Sequence, residues 1–268
     1  MITRLKNLFL FSMMLVAVGS WASSSVLNPT SEELQSAAKR IFQNETGGKK
    51  ENLVVWNVGE EFPSLGIGHF IWFPKGVKAP FTEGFPMLVK AYLANGYKAS
   101  DLPKVMTATS HAPWNSRDEF NALKAAGNKE IAELIEFLYK HQEVQVRFIM
   151  ERLEASLDKM MAASDRPDHV REQFYRVAKS KNGFYPLIDY VNFKGEGVNP
   201  SERYKGKGWG LLQVLETMKG TETGTKALKD FSNAAAKVLN QRIANSPIER
   251  GEDRWREGWM NRVRTYAQ

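Results

Sequence analysis

The sequence predicts an α+β fold that is mostly α, with a small β-hairpin or sheet followed by a larger helical body. Three observations predict it. A helical apolar pattern opens the mature chain near Thr30, two short strand-like runs flank a turn between Leu53 and Phe73, and helical periodicity then continues with interruptions to the C-terminus.

The first helix has its own start and stop signals. Thr30 and Glu33 form a capping box, Leu34, Ala38, Ile41 and Phe42 fall on one face, and Gly47-Gly48 end the run. Leu53 to Trp56 and Leu65 to Phe73 read as strands around a turn at Val58-Gly59-Glu60-Glu61. Short helices are expected over Phe85 to Asn95 and Asp101 to Thr109, the second interrupted by Pro103. Ser116 with Glu119 caps a further helix that stops at Gly127-Asn128. Ile131, Leu134, Ile135, Leu138, Ile149, Leu153, Leu157 and Met160 keep a helical period from Lys129 to Ala163, which predicts one long or kinked helix serving as a spine. Helices over Pro167 to Ser180, Leu211 to Met218, Lys226 to Ala244 and Asp253 to Ala267 complete the series. Between them the glycine-rich, aromatic stretch Asn182 to Gly210 reads as a long loop of the kind that carries function.

The N-terminus has a different purpose. Arg4 and Lys6 precede an apolar run from Leu8 to Val18, and Ser20-Trp21-Ala22 places small residues where a signal peptidase reads. Residues 1–22 are therefore expected to be a secretory signal, leaving a single domain over 23–268 with a β-containing lobe at about 45–80 and a helical lobe at about 81–268. The apolar run falls short of the roughly 20 residues that span a bilayer, and no later segment approaches that length, so no integral membrane segment is expected after cleavage. With no cysteine, the exported chain relies on its core, which fits a periplasm better than the extracellular medium. The formal charge of +7 falls to +5 once Arg4 and Lys6 leave with the signal. A basic exported protein attracts acidic partners. Lys and Arg are spread rather than gathered on one element, which argues against nucleic acid and leaves the carboxylate-bearing cell wall as the better candidate.

The stretch Ser64-Leu65-Gly66-Ile67-Gly68-His69 is unusual for a strand, because glycine weakens one unless another backbone or a ligand must approach. Upstream of it Glu45 lies in the last turn of the first helix, on the edge of the apolar face. The helix's terminal negative charge and partial burial would there both favour the protonated carboxyl. A helix ending in a glutamate, then a hairpin, then this glycine-bearing string, resembles the lysozyme superfamily. Phage-type lysozymes have the same order and similar spacing, with Thr-Ile-Gly-Ile-Gly-His where this chain has residues 64–69. Gly208 to Val214, "GWGLLQV", resembles a string of lytic transglycosylases, and Gly258 to Tyr266, "GWMNRVRTY", resembles the closing helices of phage enzymes. The main resemblance covers roughly residues 31–75.

That resemblance implies a lysozyme-like fold and cleavage of peptidoglycan glycan strands, with Glu45 as general acid. Such cleavage needs a proton donor and a group that supports or attacks the sugar cation. Asn57 stands at about the position of the family's hairpin Asp, followed by Glu60 and Glu61, and Ser64 stands at the position of its Thr. An amide holds a water but is neither base nor nucleophile. Glu60 or Glu61 takes the second role, or a single glutamate suffices while the sugar's own 6-hydroxyl closes on C1, as in lytic transglycosylases. Gly66 and Gly68 would let a glycan approach the backbone, with His69, Trp72, Tyr204, Trp209 and Gln213 as further substrate contacts. Asp189, Asn192, Lys194 and Glu196 belong to the expected loop, and Asp189 with Glu196 is an alternative carboxylate pair. Two other readings stay open: a non-catalytic glycan-binding or wall-remodelling accessory protein on the same fold, and a helical periplasmic adaptor that binds protein partners along the spine. Four scattered histidines show no metal-ligand spacing, and no serine or cysteine nucleophile motif is found, so no metal or cofactor is expected.

Overall fold

The computed structural model describes residues 29–78 and 83–268, so the expected signal at 1–22 lies outside the described residues. The chain is mostly helical with one small antiparallel sheet, as the sequence predicts. It forms two compact units, one of Ile41–Phe148 and one of Ile149–Gln268 together with the described residues up to Arg40. The helices that follow the sheet as far as Phe148 belong to the sheet's own unit, whereas the sequence reading placed a lobe boundary near residue 80.

Helix α1 (Ser31–Thr46) begins as expected, with the Glu33 N–H donating to Thr30 Oγ1 at 3.2 Å and the Thr30 N–H to Glu33 Oε2 at 2.9 Å. Leu34, Ala38 and Ile41 are buried. At its end Asn52 Nδ2 donates to the Thr46 carbonyl at 2.9 Å, occupying one of the acceptors that a helix leaves open.

In the first unit, β1 (Val54–Val55), β2 (Ser64–Leu65) and β3 (Phe70–Ile71) form an antiparallel sheet in sequence order, with Val54 opposite Leu65 and Leu65 opposite Phe70. The expected strand from Leu65 to Phe73 is broken. Gly66 to His69 is instead the turn joining β2 to β3, because Gly66 and His69 take φ of +71° and +46°, values no pleated strand holds. Gly66 is required twice over, since a Cβ there would lie 2.4 Å from Gln145 Oε1. That wholly buried amide accepts from the Ile67 N–H at 2.9 Å and donates to the Leu138 carbonyl at 2.7 Å.

Helices α2 (Phe85–Ala94), α3 (Lys104–Ala108) and α4 (Arg117–Ala125) follow, α4 capped by Ser116 as expected. They join the sheet through an aromatic core in which the Trp72 ring lies 4.7 Å from Phe85 and 6.0 Å from Trp114, and Phe120 contacts both Trp114 and Trp56. The expected spine is two helices, α5 (Lys129–Lys140) and α6 (Gln142–Ala162), broken at His141, whose φ of −115° and ψ of +45° lie outside the helical region. Tyr92 Oη donates to the His141 carbonyl at 3.0 Å and Tyr97 Oη bonds its Nδ1 at 2.7 Å, which holds the break.

The second unit contains α7 (Pro167–Ala178), α8 (Phe184–Lys194), α9 (Leu211–Thr217), α10 (Thr225–Asn245) and α11 (Arg256–Arg264). Helix α10 packs against α7, α9 and α11. The long loop expected over 182–210 is corrected, since α8 occupies its first half and buries Tyr185, Leu187, Ile188, Asp189 and Tyr190. Pro186 sits in the first turn of α8, where no intrahelical N–H is lost.

Replacing Gln145 by Leu strands the Ile67 N–H and the Leu138 carbonyl without partners. Urea unfolding should show a loss of about 1–3 kcal/mol; unchanged stability would show that the amide does not fasten the turn.

Candidate functional site

The turn after β1 carries two of the expected site residues, Asn57 and Glu60. Trp56 is buried and its Nε1–H donates to the Glu60 carbonyl at 2.8 Å, closing the 57–60 turn over the end of the strand. Asn57, exposed at the head of that turn, donates from Nδ2 to Glu60 Oε2 at 3.1 Å. Burial pushes the Glu60 carboxyl above its ordinary value, while the Asn57 hydrogen bond and the charge of His69 pull the other way. The structure therefore brings Asn57, Glu60 and His69 together. A half-buried carboxyl of raised pKa, oriented by an amide, is suited to proton transfer.

Glu45 lies at the second-last position of α1, half-buried, beside the wholly turned-in Thr46, whose hydroxyl donates to the Phe42 carbonyl at 2.6 Å. Ser64 is buried in β2, between Val55 and Ile71 in the sheet register. Gly66 and Gly68 are buried as well, and the room that Gly66 leaves is taken by Gln145. The expected open approach of a glycan at Gly66 is corrected on that ground. Trp72 is also corrected: at 1% exposure, with its Nε1–H donating to the Ser110 carbonyl at 3.3 Å, it is a core residue with no face left for a sugar.

The remaining expected contacts lie in the second unit. Gln213 receives the Gly210 N–H on Oε1 at 2.9 Å and donates from Nε2 to the Gly197 carbonyl at 3.0 Å, so both ends of its amide tie two glycine turns together. Those turns approach so closely that a Cβ on Gly210 would sit 2.2 Å from the Gly197 nitrogen. Gln213 is thus a strut rather than a free substrate contact. The Trp209 ring lies 4.5 Å from Tyr204 and carries the Arg242 guanidinium 4.2 Å above it. Tyr204 Oη donates to Glu252 Oε1 at 2.9 Å, and Arg242 grips the same carboxylate with two hydrogen bonds of 2.8 and 2.9 Å.

The two carboxylates of the alternative pair have different partners. Asp189 is buried, held by two 2.8 Å hydrogen bonds from Arg262 and a 2.6 Å one from Tyr266 Oη. Glu196 sits in other company: burial raises its pKa, against the charges of Lys159 and Arg152 and a hydrogen bond from Ser156. Arg242, Glu252, Trp259 and Arg262 were not among the expected site residues. Arg242 and Glu252 come from separate elements, and neither helical nor strand spacing links them.

Among the described residues no group of three or more histidine, aspartate or glutamate side chains is arranged to hold a metal, and no helix is long and apolar enough to cross a membrane. No family model, curated protein or solved structure matches the chain.

The Glu60 shift has a stability consequence. A folded pKa above the unfolded one means that the stability of the neutral carboxyl is present below the ordinary glutamate pKa and is lost as pH rises through the folded value. Glu60→Gln should therefore gain on the wild type as pH rises from the ordinary glutamate pKa through the raised folded value, as read by urea unfolding. Parallel pH profiles for the two proteins would refute the assignment.

Proposed function

We propose that the chain is an exported, peptidoglycan-cleaving glycosidase, a muramidase or lytic transglycosylase, with Glu45 as general acid. The observation that carries this reading is the succession along the chain of a helix with Glu45 in its last turn, an antiparallel sheet, and the Gly66-Ile67-Gly68-His69 turn, with the last turn of the helix, the sheet and the glycine-bearing turn all in the first unit. That is the order in which phage-type lysozymes present their acid and their glycine string. The expected signal peptide and the basic balance of the chain agree with a substrate outside the cytoplasm that bears carboxylates.

In this reading Glu45 protonates the departing glycosidic oxygen. Two routes then stay open for the sugar cation. In the hydrolytic route Glu60, steadied by Asn57, acts as base toward a water on the opposite face. In the transglycosylase route the sugar's 6-hydroxyl attacks C1, giving a 1,6-anhydro end, and Glu45 takes up the hydroxyl's proton. A second reading, a wall-binding protein without activity, is favoured by one observation: Asn57 occupies the hairpin position where a carboxylate is expected, and an amide accepts no proton at neutral pH.

Muropeptide release from purified walls tests this. Glu45→Gln should reduce the rate at least about a hundredfold, the scale of a lost general acid, while leaving wall binding unchanged. Glu60→Gln should cause a comparable loss if the products have reducing ends, and little loss if they have 1,6-anhydro ends. Wild-type protein that binds walls and releases nothing would establish the second reading.

A further inference from the structure

Two exposed segments of the second unit are joined into one surface. Residues 247–258 are exposed throughout except for Glu252, which is buried. Its carboxylate accepts from Tyr204 Oη at 2.9 Å and from Arg242 through two further hydrogen bonds. Tyr204 in turn opens a two-residue hairpin: the Tyr204 and Lys207 N–H groups each donate to the other's carbonyl at 3.0 Å, with Lys205 and Gly206 at the corner at φ of +49° and +74°. The Arg250 guanidinium stands 5.7 Å from the Tyr204 ring. Hairpin and segment are thus neighbours, fastened by a buried hydrogen bond.

The composition of this surface is distinctive. Ile248, in the single helical turn Ile248–Arg250, is 96% exposed, and Trp255 closes the next turn, Glu252–Trp255. Among the described residues these are the two exposed large apolar side chains of the second unit. Scattered apolar side chains need no explanation, but here both lie in one segment and cations accompany them. Arg250 and Arg254 are exposed in the same segment, and Arg203, Lys205 and Lys207 are exposed on the hairpin. Asp253 is held by Arg256 at 2.7 Å and Glu252 by Arg242, with Arg250 at 3.9 Å, which leaves Glu202, Glu249 and Glu257 as the other acidic side chains of the two segments. The lysine at the hairpin corner is itself a poor choice for the backbone, because a left-handed corner favours Gly, Asn or Asp. A cation is kept there in spite of that.

We propose that this face docks on an anionic lipid surface, with Ile248 entering the headgroup layer and Arg203, Lys205, Lys207, Arg250 and Arg254 meeting the lipid phosphates. Interfacial binding is the sum of buried apolar area and attraction to anionic headgroups, and this surface offers both at once. A dissolved polyanion or a wall polymer would reward the cations but leave Ile248 with nothing to do, so the apolar side chain selects the bilayer. Because the hairpin is held at its base, docking costs little ordering of the backbone that carries three of the cations. The proposal does not depend on the wall-cleaving reading.

Co-sedimentation of the full mature chain with vesicles tests it, using phosphatidylcholine alone and phosphatidylcholine mixed with phosphatidylglycerol. The wild type should bind the mixed vesicles, bind the neutral ones far less, and lose affinity as salt screens the surface charges. Lys205→Asn removes a cation while suiting the corner better than lysine, so it should bind about fivefold more weakly with unchanged or raised thermal stability. Ile248→Ser should weaken binding by about tenfold while leaving the salt dependence as it is, and Ile248→Leu should bind as the wild type does. Failure to bind the mixed vesicles, equal binding to neutral ones, or wild-type binding by Lys205→Asn or Ile248→Ser would each overturn the proposal. Retention of the protein on purified walls or on DNA but not on vesicles would assign the cations to a polyanion and overturn it as well. Muropeptide release is scored separately with Glu45→Gln, so an inactive protein that binds vesicles refutes only the enzymatic reading.

Discussion

The first unit depends on one buried amide. Gln145 reaches from the first turns of α6 to receive the Ile67 N–H, and its own N–H goes to the Leu138 carbonyl at the end of α5. A turn whose backbone has left the sheet ladder exposes donors that only water or a side chain satisfies, and this turn is buried. The same amide thus closes the β2–β3 turn and fastens it to the break at His141. Gly66 follows as a necessity, because its left-handed backbone and its contact with Gln145 both exclude a side chain. His69, at the other end of the turn, is thereby placed where its charge acts on Glu60.

A different solution holds the second unit together. Its carboxylates at 189 and 252 are buried, and each is met by a guanidinium in fork geometry and a tyrosine hydroxyl. Removing one partner from such a buried pair costs far more than the pair contributes, because the stranded charge has no solvent to return to. Asp189 and Glu252 are therefore tied to their partners. Burial raises other carboxyls, Glu60 and Glu83 in one unit and Glu196 and Glu202 in the other.

Much of this was legible in the residues. Thr30 with Glu33 and Ser116 with Glu119 marked their helix starts because capping is a local interaction over four residues. The sheet was legible as a run of β-branched and aromatic residues, but its turn was not, since glycines at 66 and 68 are read equally well as thin strand or as bend. What decided the matter was Gln145, far along the chain. Helix α8 was misread for a related reason: Phe184-Tyr185-Pro186 and Tyr190-Val191 look irregular or extended, and only burial against the rest of the unit makes them helical. Trp72 was legible as an aromatic on a strand, while its membership of the core depended on Phe85 and Trp114. The Arg242–Glu252 and Arg262–Asp189 pairs join separate elements, so no window of sequence displayed them.

The enzymatic account comes down to whether a sugar bond meets the side chain at position 45. A crystal structure of Glu45→Gln soaked with a peptidoglycan tetrasaccharide addresses that most directly. The account predicts a glycosidic oxygen at hydrogen-bond distance, about 3 Å, from the amide at position 45, with the ring on the far side facing Glu60 or its own 6-hydroxyl. A saccharide bound elsewhere, with position 45 untouched, would contradict it.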